Sequence, residues 1–63
     1  MQRIEDGVSP LYTLTGEELA RLSQGVALGL LSAPLSTTPQ SSTQILVRFH
    51  SAAEAERVKV YIA

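Results

Sequence analysis

The stretch Thr43-Gln44-Ile45-Leu46-Val47-Arg48-Phe49-His50-Ser51-Ala52-Ala53-Glu54 sets the fold class. Its first eight residues alternate. Ile45, Val47 and Phe49 point to one face, and Gln44, Leu46, Arg48 and His50 to the other, which is the pattern of a strand with one buried side. Ser51 and Glu54 then stand at capping-box spacing, so a helix starts immediately after the strand. Its apolar stripe is Ala55, Val58 and Ile62, and Glu54 with Arg57 and Glu56 with Lys59 are i,i+3 pairs on its surface. A second reading competes over Val58-Lys59-Val60-Tyr61-Ile62, which alternates and could be a strand. No turn residue separates the two halves, which favours one helix.

Upstream, Thr15-Gly16-Glu17-Glu18 repeats the capping-box signature. Leu19, Leu22, Val26 and Leu30 follow at helical spacing, and Ala20, Ala27 and Leu31 widen the stripe. Glu17 and Arg21 are four apart with the acid first, the better order. The spacing predicts a helix from about Gly16 to Ser32. Before it, Gln2 to Glu5 and Leu11 to Leu14 read as short strands. Asp6-Gly7 and Ser9-Pro10 supply turn signals between them, so a hairpin is expected. Between helix and strand, residues 33–43 hold Pro34 and Pro39 and are dense in Ser and Thr, which predicts a surface loop.

The expected architecture is therefore α+β: one domain over residues 1–63, with a single-layer sheet of two or three strands and two helices in the order β-(β)-α-β-α. A chain of 63 residues buries only about 60% of its unfolded surface, so its core is marginal. Its 44% hydrophobic content with 17% charge still argues for a folded chain. There is no cysteine, so disulfides and thiolate sites are excluded, and with one histidine neither an all-protein zinc site nor a cofactor is expected. Self-association is the remaining way to stabilise so small a core, with a two-fold dimer the commonest closed form.

Net charge is −1 and the pI about 5.6, which gives no basic footprint for nucleic acid. The longest charge-free stretch, Leu22 to Val47, is interrupted by Ser32, Pro34 and a polar tract, so it is no membrane span. Met1-Gln2-Arg3-Ile4-Glu5-Asp6 carries acids and no apolar run, so no signal peptide is expected, and a cytoplasmic location fits.

No set of residues suits catalysis. Glu17 and Glu18 are adjacent on a helix and point about 100° apart, so they do not converge on a substrate. His50 lacks a nucleophile and an orienting group, since Ser51 is better used as a cap. The Ser36–Thr43 tract lacks the glycines of a phosphate-cradling loop and reads as a linker, or as a loop that orders on a ligand or partner. Gly25 and Gly29 are four apart. On one helix face they allow close packing, either on the protein's own sheet or, with Leu28, against the helix of a second copy. Arg48, His50 and Lys59 are the one basic cluster, and Tyr61 is an aromatic near it. Arg and Tyr are common interface anchors.

These features suggest a small non-enzymatic regulatory protein that binds another protein, as inhibitor or adaptor, and assembles as a homo-oligomer. Gly25, Leu28 and Gly29 are the expected self-association contacts, and Arg48, His50, Lys59 and Tyr61 the expected partner contacts. The alternative is an oligomer that binds or sequesters a small anionic ligand, such as a nucleotide, between the Ser/Thr loop and those cations.

Overall fold

A computed structural model describes residues 1–63. The chain runs β1 (Gln2–Glu5), β2 (Leu11–Leu14), α1 (Gly16–Ala27), β3 (Ser36–Pro39), β4 (Ile45–Arg48) and α2 (Ala52–Ile62). The strands form one antiparallel sheet in the order β1-β2-β4-β3. Since β4 runs antiparallel to both its neighbours, β2 and β3 are parallel to each other. The path β2-α1-β3 is thus a crossover whose two strands are split by β4.

The expected α+β class holds, and the sheet has four strands rather than two or three. The predicted β1–β2 hairpin forms, with a bulge between Arg3 and Glu5. The extra strand is β3, inside the segment expected to be a loop. Its sequence, Ser-Thr-Thr-Pro, buries nothing, so no apolar alternation marks it. It is held instead by backbone pairing with β4, from Ser36↔Arg48 to Pro39↔Ile45. The serines beyond it make the turn. Ser41 Oγ accepts from the amides of Thr43 (3.3 Å) and Gln44 (3.2 Å).

Both predicted helix starts are present. Thr15 Oγ1 accepts from the Glu18 amide at 3.2 Å while Glu18 Oε1 accepts from the Thr15 amide at 2.9 Å, a complete capping box. The other Glu18 oxygen pairs with the Met1 ammonium. Ser51 Oγ accepts from the Glu54 amide at 3.1 Å, and the buried Glu54 carboxylate reaches one residue further back, to the His50 amide at 3.2 Å. Residues 58–62 are helix, continuous with the rest of α2.

The end of α1 differs from the expected Ser32. The Leu30 amide donates to the Gly25 carbonyl (2.9 Å) and the Gly29 amide to that of Val26 (3.0 Å). With Gly29 at φ 77° this is a Schellman motif, which stops the helix at Ala27. Gly25 and Gly29 therefore do not share a helix face. Gly25 lies inside α1, Gly29 terminates it, and Leu28 is its C-cap.

One core holds the protein together: Leu14, Leu22, Val47, Phe49, Ala55, Val58 and Ile62. Tyr12 meets Phe49 edge to face, with ring centroids 5.5 Å apart. Both helices cover the sheet face that carries Leu14 and Val47. The opposite face, with Leu11, Thr13, Leu46 and Arg48, carries no helix.

Candidate functional site

Splitting the crossover leaves a gap beside α1. Because β3 is short and lies at the sheet margin, nothing fills the space between it and the helix. Leu19, Leu22, Ser23, Val26 and Ala27 of α1 face Ala33, Pro34 and Thr37 across a groove of about 280 Å³. Five of those eight residues are apolar, and Leu22 forms the buried floor.

The groove runs along a free strand edge. Gln40 donates to the Gln44 carbonyl at 3.0 Å, in register with the β3–β4 ladder. That parity makes Ser36, Thr38 and Gln40 the residues that exchange hydrogen bonds with β4, and it turns the backbone polar groups of Thr37 and Pro39 outward. Pro39 occupies an outward position where a missing N–H costs nothing. Thr37 is left as the outward donor and acceptor, with its side chain on the groove side.

Apolar side chains stand around this opening. Leu28, next to Ala27, is 62% exposed, and Leu35, next to Pro34, is 51% exposed; Leu30 lies instead by a separate recess with Glu54 and Arg57. All three leucines fall in the uncharged stretch from Leu22 to Val47, which takes in the end of α1, β3 and the β3–β4 turn. The opposite sheet edge is built differently. On and beside β1, Arg3 pairs with Asp6 at 2.7 Å and Glu5 with Arg48 at 3.2 Å, and the strand is bulged. Charges and bulges are how free edges are kept from pairing. β1 has both, and β3 has only its proline.

The residues singled out in the sequence do not gather at one place. Arg48 projects from the helix-free face, where its guanidinium donates to the Ser9 carbonyl (2.8 Å) and to Glu5 (3.2 Å). The His50 ring meets the Ala33 carbonyl at 3.1 Å. Lys59 is exposed on α2, on the helical side of the sheet. Tyr61 packs by Gly25, where an added β-carbon would stand 3.0 Å from its ring. The close approach that Gly25 allows is thus to its own chain. Leu28 does belong to the uncharged flank, and Gly29 shapes the turn beside it.

Ser23 and Pro34 were not singled out in the sequence, and Thr37 only as one member of the Ser36–Thr43 tract. Two signals pointed toward them: the length of the charge-free stretch, and a helix stripe too wide for one buried side. No three His, Asp or Glu side chains gather where they could hold a metal ion, and no helix is long and apolar enough to cross a membrane. Comparison with protein-family models, curated proteins and solved structures finds no match for the chain.

Proposed function

We propose that this chain is a non-enzymatic regulatory module that acts by binding protein, and that its docking face is the uncharged flank formed by α1, β3 and the leucines around them. One observation carries this reading: an apolar groove opens directly beside an unguarded strand edge. A groove and an edge together suit an extended protein segment, whose backbone pairs with the strand while its side chains enter the groove. A role as inhibitor or adaptor asks no more of the chain than such a surface. The absence of cysteine suits a cytoplasmic setting.

The test places a photoreactive residue at Ser23, in the groove, or at Glu56, on the exposed side of α2, and irradiates cells that express the chain. Discrete protein adducts from position 23 that are missing from position 56 are the expected result. No adducts from either position, or the same adducts from both, would overturn the docking face.

A further inference from the structure

We infer that the occupant of this flank is a second copy of the chain, joined β3 to β3 about a two-fold axis; the inference rests on the docking reading above and gives it a partner. A two-fold interface uses the same patch on both copies, so the patch must carry projections as well as a recess. This one does. Exposed Leu28 and Leu35 follow directly on the lining residues Ala27 and Pro34 and project beside the groove.

Charge points the same way. All eleven charged side chains, five basic and six acidic, lie outside Leu22–Val47. None of the residues that line the groove is charged, so two such grooves meet without opposing like charges and without burying an unpaired one. A strongly charged partner would find no counter-charge there. Contact through the β1 edge would instead bring Arg3, Glu5 and Asp6, with the ion pairs they already make, into the interface.

Size decides how much of the flank takes part. A standard interface takes about 800 Å² from each side. That is about a fifth of this chain's 3948 Å², more than the groove alone supplies. The strand edge and the leucines must contribute as well. An antiparallel β3 pair centred on Thr37 lets each Thr37 amide donate to the Thr37 carbonyl of the other copy. Pro39 and the Leu35 amide, already donating to Arg48 at 2.8 Å, add no donors. Two hydrogen bonds set the register, and burial of the grooves supplies most of the attraction. The four-stranded sheet becomes eight-stranded, and the two α1 helices face each other above the join.

Sedimentation equilibrium of the purified chain tests this. The expected species has twice the 6.8 kDa chain mass at micromolar concentrations. Val26→Asp places a charge in the groove, and Thr37→Pro removes the outward donor while leaving the β3–β4 bonds. Each is expected to weaken association by about tenfold or more. Hydrogen exchange on the unaltered chain gives a reading that needs no variant: the Thr37 amide should be protected when concentrated and lose that protection on dilution. A 6.8 kDa species alone at high micromolar concentration overturns the inference. So does a dimer that survives both substitutions, or Thr37 exchange that ignores concentration. A monomer that still gives protein adducts from position 23 overturns the second copy as occupant while the docking face stands.

Discussion

Leu31 lies across Gly25. A β-carbon at Gly25 would stand 2.6 Å from Leu31 Cδ1, closer than side chains approach. The turn that ends α1 brings the chain back over its own last turn, and the missing side chain at Gly25 is what lets Leu31 and Tyr61 settle there.

Gly25→Ala is therefore expected to destabilise the protein, although alanine is the better helix former. Helix propensity gains about 1 kcal/mol, while overpacking costs about 1–3 kcal/mol. A net loss of about 1 kcal/mol by denaturant unfolding is expected. In a Leu31→Ala background the same substitution should cost nothing or stabilise. An equal loss in both backgrounds would show that Leu31 is not the obstacle.

Gly29 behaves oppositely in cause. Nothing lies within 4 Å of an added β-carbon, so the penalty is purely that of φ 77°. Inside a continuous helix, alanine here would stabilise. At the C′ position it is expected to cost about 1 kcal/mol. Gly29→Asn should cost less, since asparagine tolerates this conformation. Thermal unfolding of the two variants separates these expectations.

Acid sensitivity should concentrate at Glu18. Partial burial alone would raise its carboxyl. The hydrogen bond and charge of the Met1 ammonium, with the Thr15 amide and hydroxyl, outweigh that and hold it below its ordinary value. A carboxyl lowered in the folded state contributes stability above its unfolded pKa and loses it as pH falls through the folded value. Stability should thus fall below about pH 5. Glu18→Gln keeps a capping-box partner but not the ion pair. It should lower stability at neutral pH and flatten the acid limb. An unchanged acid limb would remove Glu18 from the account.

Arg48 is more structural than a free surface cation. Arg48→Ala leaves the half-buried Ser9 carbonyl without its donor and is expected to cost about 1 kcal/mol of stability. His50→Ala should cost less, because the ring contact to the Ala33 carbonyl is exposed. Urea midpoints of the two variants check the order.

Much of the fold was legible because it rests on local chemistry. The two helix N-caps, Thr15 and Ser51, the alternation ending at Phe49 and the Asp6-Gly7 turn each act within a few residues. What stayed hidden depended on distant partners. β3 is a strand because β4 pairs with it, and Ser-Thr-Thr-Pro does not announce that. The end of α1 was misplaced because Leu28, Leu30 and Leu31 extend the apolar pattern past a glycine that turns left-handed. Arg48 and His50 read as free because nothing near them in the sequence foretells the carbonyls of Ser9 and Ala33. The groove was visible only as a long stretch without charge, with no hint that β3 would stand opposite α1.

The position of β4 between β2 and β3 has a consequence for how the molecule is made. The strand at the middle of the sheet is the last in the chain, and its partner Leu11 lies far upstream of Arg48. Until Ile45–Arg48 has been synthesised, β2 has only β1 to pair with, β3 has no partner, and α1 lacks most of its floor. Acquisition of structure beyond the β1–β2 hairpin must then await β4 and proceed as one event, at the slower pace of long-range pairing.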